Sequence, residues 1–318
     1  MKCEFFAQYM GKWDGHQDKD EGMQLTLLCE GILDNKEDAK KRLKEWILHG
    51  KLDKYFKKQM KIFNNLISYR LPGLRGFPLG SFILQFTFYL DKPYISTDNT
   101  SFSIIDNPLK KEKVFTLPYI VPSQWKGTLR SVMRQMKGFS AWEDEDEQMI
   151  RIFGNVKGEE SNKNLCQGAL HLYPTYFDRI GLEVITPHDR ETGTGTYPIY
   201  FESVPIGACG EFALLYFPFN LMREDKKEVY KTVASDLRII AKGIHEMMVM
   251  HGVGAKVSSG FGRIKRIEKG ELTVKVNTKV KRSGQTPAEE KDTVVLTFES
   301  FEELIAGAEE FLKVGGGS

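Results

Sequence analysis

The chain has little of what usually identifies a chemistry. Its four cysteines, Cys3, Cys29, Cys166 and Cys209, are scattered and form no C-x-x-C pair. That spacing offers neither a zinc knuckle nor a disulfide framework, and a reducing cytoplasm is the expected setting. The six histidines include no H-x-x-x-H or H-E-x-x-H spacing, which disfavours a zinc hydrolase. There is no G-x-x-x-x-G-K-[ST] stretch to cradle a nucleotide, and no G-x-S-x-G or Cys/His nucleophile arrangement. No run approaches the roughly 20 apolar residues of a membrane span, and the first residues lack the basic-then-apolar layout of a secretion signal. Charge of one sign is scarce too. Lys and Arg number 45 against 43 Asp and Glu, a net of +2, so a polyanion binder would have to cluster its cations locally.

What is present belongs to a folded protein: 318 residues, 41% hydrophobic and 12% aromatic, enough for one large domain or two ordinary ones. Residues 1–34 hold two short apolar runs around a charged, turn-rich stretch. From Asn35 to about Leu66 the pattern is helical with a break at Gly50, and between Lys36 and Lys61 ten Lys/Arg face four Asp/Glu. Such a run serves as a solvated face or as a contact for RNA or a neighbouring subunit. A Pro/Gly hinge, "LPGLRGFPLG", closes this N-terminal extension at residue 80.

The main domain, 81–281, opens with the alternating strand "SFILQFTFYL". A helix follows with Ser123 as its N-cap and Gly138 as its stop; Trp125, Leu129, Val132, Met133 and Met136 form its apolar stripe. Lys126, Arg130, Arg134 and Lys137 form a second, basic stripe on it. The acidic run 143–147 reads as a solvated loop, and 150–177 as strand, polar loop, strand. Residues 181–205 read as a protruding hairpin, 211–219 as a strand, and about 223–251 as the longest helix, with core positions at 3–4 spacing. Strands at 271–281 and 293–300 and a helix capped by Ser300 and Glu303 complete the order, the last two within a C-terminal segment 282–318. The strand–helix–strands–helix–strand order fits an α+β, ferredoxin-like (RRM-like) βαββαβ palm with an inserted hairpin.

Four glycines fall within eleven residues from Gly252 to Gly262, around Lys256, with Arg263, Lys265 and Arg266 next. Glycine admits positive φ and lets a backbone come close to a ligand. The stretch reads either as a helix–strand turn or as a loop whose amides and cations hold a phosphate chain. A helix with a buried apolar face and a cationic edge grips phosphates in the same way, reading backbone rather than sequence.

Several stretches together resemble the RAMP superfamily of CRISPR proteins, in particular the backbone subunits of type III effector complexes. "IIDNPLKKEKVFTLPYIVPSQWKGTLRSVMR" is similar to that family's opening signature, and "IFGNVKG…GALHLYPTYF" to its F-G segment. "PHDRETGTGTYPIYFESVPIGACGEFALLYF" resembles its thumb hairpin and the E-x-V-P-x-G strand, and "GVGAKVSSGFGRI" its glycine-rich loop. The resemblance covers roughly 81–266. The stretch between Arg190 and Pro198 is short for a thumb, and the tract before Asp106 lacks the family's His-x-Gly.

The resemblance implies guide-RNA (crRNA) contacts at Lys126, Gly127, Arg130, Gly254, Lys256, Gly260, Gly262 and Arg263. It places Asp106 where type III backbone subunits carry the aspartate needed to cut target RNA, with Mg²⁺ or Mn²⁺ as cofactor. His188 and Arg190, at the thumb base, are candidate helpers. The implied partners are crRNA, target RNA and the other subunits of a type III complex. Two alternatives stay open: a structural RNA-binding subunit in which Asp106 only makes an Asx turn, and a free-standing, metal-independent ribonuclease acting on repeat RNA.

Overall fold

Phe82, Leu84, Phe86, Phe88 and Leu90 are all buried, whereas Gln85, Thr87 and Tyr89 between them are half-buried. This two-residue period makes a strand with one fully covered face. The computed structural model describes residues 36–66, 71–97, 105, 107–140, 145–155, 166–187, 195, 197–278 and 291–315. The apolar runs before residue 35, Asp106, His188 to Arg190, the 279–290 linker and the last three residues, Gly316 to Ser318, lie outside the described residues.

In chain order the elements are α1 (Lys36–Leu48), α2 (Lys51–Leu66), β1 (Phe82–Leu90), β2 (Tyr119–Ile120), α3 (Pro122–Lys137), α4 (Glu147–Phe153), β3 (Leu170–Leu172) and β4 (Thr175–Tyr176). They continue with β5 (Gly181–Ile185), β6 (Ile199–Ser203), β7 (Cys209–Tyr216), α5 (Lys226–His245), β8 (Ile264–Thr278), β9 (Lys291–Phe298) and α6 (Phe301–Gly315). Among the described residues no helix is long and apolar enough to cross a membrane. The chain divides into two compact units, each drawn from several separate stretches.

The larger unit takes residues 68–94, 119–176 and 206–318. It is a mixed α/β body around a five-stranded sheet in the order β3-β7-β1-β8-β9, every pairing antiparallel. Its core is aromatic: Phe82 stacks on Tyr216 with centroids 4.7 Å apart, and Phe86 on Phe212 at 5.0 Å. Trp125 of α3 meets Phe88 and Phe212 edge-on, and its indole N–H donates to Thr175 Oγ1 at 3.1 Å. Trp125, Leu129, Val132 and Met133 are buried as the spacing predicts, while Met136 is 40% exposed. Where α3 crosses α5 the α5 residue is Gly243; a methyl there would lie 2.6 Å from Met133 Cγ.

Local chemistry shifts two boundaries. Pro122 sits in the first turn of α3 with Val121 as N-cap, because proline's fixed φ suits that turn. Ser123 is therefore inside the helix. Residues 147–153, read as loop and strand from the sequence, are the helix α4, since the Asp146 carboxylate accepts from Met149 N at 2.9 Å and Gly154 ends it.

Asp236 of α5, fully buried, ties this unit together. It accepts from Arg151 Nε at 2.8 Å and Nη2 at 2.7 Å, from the Tyr216 hydroxyl at 2.5 Å, and from Gln148 Nε2 at 2.9 Å. Hydrogen bonding to Asp236 holds the Arg151 guanidinium above its ordinary pKa. Burial and the adjacent Asp236 charge push Tyr216 well up. One carboxylate thus joins α4, β7 and α5.

The second unit gathers the described parts of 1–67, 95–118 and 177–205. Leu52, Tyr55, Phe56 and Phe63 of α2 are buried. The Phe63 ring meets Phe115 edge-on at 5.4 Å, and Tyr55 Oη shares a 2.9 Å hydrogen bond with Thr116 Oγ1. Gly50, at φ +62°, makes the expected break between α1 and α2. β5 and β6 pair from Gly181–Ser203 to Ile185–Ile199 as the stem of the expected hairpin.

Asp236→Ala would strand the Arg151 guanidinium and the Tyr216 hydroxyl. Urea denaturation of this variant is expected to show a loss of about 3–5 kcal/mol.

Candidate nucleic-acid interface

The glycine loop begins before its first glycine. α5 gives way to a π turn over Glu246–His251, and Gly252 N donates back to Met247 O at 2.8 Å. Two backbone segments then pass side by side, with Val253 N donating to Gly262 O at 3.1 Å. A methyl on Gly262 would overlap the Val253 carbonyl oxygen, and one on Gly252 the Phe261 carbonyl oxygen. These two glycines form a neck that only a bare backbone can close. Below it, Gly262 N donates to Pro93 O at 2.8 Å, and Arg263 O accepts from Asp91 N at 2.8 Å, fastening the loop to the chain leaving β1.

The tip follows different rules. Gly254 has φ +108° and Gly260 φ +85°, and a methyl at Gly260 would meet no atom within 4 Å. Lys256 itself adopts the left-handed region at φ +58°, heading a single 3₁₀ turn over Val257–Ser259. Lys256, Val257, Ser258 and Ser259 are all exposed. The tip therefore presents an exposed single turn that carries a lysine, on a neck closed by backbone contact, an arrangement suited to phosphate oxygens. Lys265 is exposed beyond it, whereas Arg266 stacks 4.4 Å over the Tyr89 ring and pairs with Glu268 at 3.2 Å. Arg263 is half-buried, and its Nε has no hydrogen-bond partner among the described residues.

The basic stripe of α3 is engaged internally. Lys126 Nζ donates to Leu170 O at 2.9 Å, and burial, with the Arg130 charge adding to it, lowers its pKa. Arg130 and Arg134 converge on Glu145, Arg130 Nε at 2.9 Å and Arg134 Nη1 at 2.9 Å, and Arg130 Nη2 also reaches Gly154 O at 3.1 Å. Lys137 pairs with Asp146 at 2.5 Å. Burial pushes the Glu145 carboxyl up, but the hydrogen bonds and charges of Arg130 and Arg134 outweigh it and hold the carboxyl below its ordinary value. Glu145 is buried, not part of a solvated loop, because two guanidiniums need a counter-charge there. Gly127 is exposed, and a methyl on it would touch nothing within 4 Å.

His251 links the two features. Its Nε2 lies 2.9 Å from Gln135 Oε1 of α3, and its Nδ1 3.2 Å from Glu246 O, so the π turn at the loop's root is pinned to the last turns of α3. Nothing in the histidine spacing points to this. Glu145 is equally hidden among its acidic neighbours in the sequence.

In the other unit, Asp106, His188 and Arg190 lie outside the described residues, but the chain directly after Asp106 is held by β6. Glu202 N donates to Asn107 O at 3.0 Å. The buried Glu202 carboxylate accepts from Leu109 N at 3.0 Å and from Lys111 Nζ at 2.6 Å through its Oε2. Lys110 N donates to the buried Ser96 Oγ at 2.9 Å. Among the described residues no trio of His, Cys, Asp and Glu converges as a metal cage.

Neck and tip glycines are expected to separate by stability. Gly260→Ala should cost roughly 1 kcal/mol, the left-handed strain alone. Gly262→Ala should cost about 3 kcal/mol or more, since backbone must also move. Paired urea titrations measure both.

The RAMP superfamily profile matches residues 80–265, from two residues before β1 to the start of β8. Among solved structures, a chain of "Cryo-EM structure of the Type III-B Cmr-beta bound to cognate target RNA" is 18% identical, covering 83% of this chain and 87% of that one at a TM-score of 0.43. A chain of "CRISPR RNA-guided surveillance complex" is 12% identical, covering 63% and 72%, at a TM-score of 0.42. No curated protein matches. The matched stretch holds both α3 and the glycine loop and exceeds half of the 318 residues: the chain belongs to the RAMP superfamily.

Proposed function

We propose that the chain is a guide-RNA-binding backbone subunit of a type III CRISPR effector complex, with a ferredoxin-like palm, and that it cleaves guide-paired target RNA. The observation that carries the reading is the tip Gly254–Gly260, exposed over Lys256–Ser259 and held on a neck closed by backbone contact within the family-matched stretch. The succession β1–α3–β3–β7–α5–β8, with β1 between β7 and β8 in the sheet, supports the palm assignment.

Lys256 and the tip amides hold the guide's phosphates, and the bare Gly127 lets a sugar–phosphate backbone lie against α3. Lys126 and Arg130, half-buried and bonded internally, shape that edge and add field rather than free donors. Arg263 extends the track below the neck.

Target RNA carries its own nucleophile, the 2′-hydroxyl. Asp106 orients that hydroxyl, and the chain just after it is held by Glu202 through Leu109 N and Lys111. His188 and Arg190 assist at the target phosphate. A divalent ion would rely on Asp106 and RNA phosphate oxygens, since Glu202 Oε2 already accepts two donors; magnesium commonly binds through one carboxylate and substrate phosphates. When bound, Mg²⁺ or Mn²⁺ supplies positive charge to the scissile phosphate.

Two measurements test the reading. Asp106→Ala in the assembled complex is expected to retain guide RNA and abolish target cleavage; cleavage that persists would remove Asp106 from the chemistry. Gly127→Ala should stabilise α3 by roughly 0.5–1 kcal/mol while weakening RNA retention. Unchanged RNA retention would show that nothing approaches α3 there.

A further inference from the structure

Five lysines of α2, Lys51, Lys54, Lys57, Lys58 and Lys61, are all exposed. At 100° per residue they fall within an arc of about 120°, over a length of about 15 Å. The only other residue of α2 in that arc is Asn65. Asp53, the single acidic residue of the helix, lies outside it. None of the five forms an ion pair among the described residues. Five lysines against one aspartate give α2 a net +4, in a chain whose total is +2.

We infer that this face of α2 is a second RNA-binding surface, a sequence-independent track for the phosphates of a single strand. The inference rests on the reading above that the chain holds RNA, but not on the family match, which begins only at residue 80.

Three observations select the ligand. The apolar face of α2 is already buried through Leu52, Tyr55, Phe56 and Phe63, and the exposed Leu66 at its end is too little to insert into a lipid surface. The cationic arc contains no aromatic or aliphatic side chain. Protein–protein interfaces concentrate aromatics, Met and Arg and are depleted in Lys, which argues against an acidic protein as occupant. The contrast with α3 is the third. There each basic residue of the stripe is bonded within the protein, at Leu170 O, Glu145 or Asp146. On α2 none of the five lysines is ion-paired among the described residues, while Phe63 against Phe115 and Tyr55 against Thr116 hold the helix in place. A fixed row of unpaired cations releases counterions when it meets a phosphate chain.

The test uses the full-length chain, a labelled single-stranded RNA of mixed sequence, and fluorescence anisotropy across a salt series. K54E/K57E/K58E/K61E is expected to bind at least about tenfold more weakly at low salt, with the log–log salt slope flattened by about 2–3, because four phosphate contacts are lost. K54R/K57R/K58R/K61R should bind as the unmodified chain does, and far-UV circular dichroism should be unchanged in both. K256E runs alongside as the probe of the glycine loop. If K256E loses binding while the α2 reversal keeps affinity and slope, the α2 track is overturned and the loop reading stands. If the reversal spares RNA but releases the subunit from its complex, the occupant is an acidic protein and the inference is equally overturned. If the unmodified chain takes up no RNA at low salt, both readings fall together.

Discussion

The passage of Val253 past Gly262 at backbone contact distance is the constraint on which the interface depends. The 3.1 Å hydrogen bond there closes the loop, and the absence of two Cβ atoms makes the closure possible. A loop of this length with four glycines would otherwise sample many conformations, and binding a phosphate chain would have to restrict them. The neck removes most of that freedom before any ligand arrives. Fastening to Pro93 and Asp91 carries the rigidity into the centre of the sheet, where β1 is flanked on both sides.

A basic helix in each unit places its charge differently. In the larger one, cations are used for cohesion: Asp236 organises Arg151, and Glu145 organises Arg130 and Arg134. Buried pairs of this kind contribute specificity of arrangement more than net stability. In the smaller one, α2 uses aromatic and aliphatic burial for cohesion and leaves its lysines outside. A near-neutral chain thereby keeps local positive surface at the loop tip and on one helix.

Much of this was legible in the sequence, for a physical reason in each case. The alternation in 82–90 and the 3–4 spacing in α5 follow directly from the period of strand and helix. The Gly50 break and the Gly138 stop follow from glycine's access to positive φ. The Ser300–Glu303 cap was equally readable, and Glu303 N does donate to Ser300 Oγ at 3.1 Å. The errors came where a local pattern competed with a distant partner. Residues 150–153 have strand-like content, but an Asp146 cap and the pull of Arg151 toward Asp236 make them helical. The stripe on α3 has the spacing of a binding edge, and only the fold reveals that Glu145 neutralises its centre. The glycines of the loop looked equivalent in sequence and divide into neck and tip only when their neighbours are known.

The widened turn at Glu246–His251 sets the direction in which the loop leaves its helix. A turn with one residue more than the regular spiral is a phase device: it rotates everything downstream by about 100° while leaving the upstream packing face untouched. Shortening this segment by a single residue would restore the ordinary spiral and carry Gly252 and Val253 away from Gly262, which stays fastened to Pro93, so the neck would open. Aim and closure thus share one root, and the orientation of the grip is locked to the length of that turn.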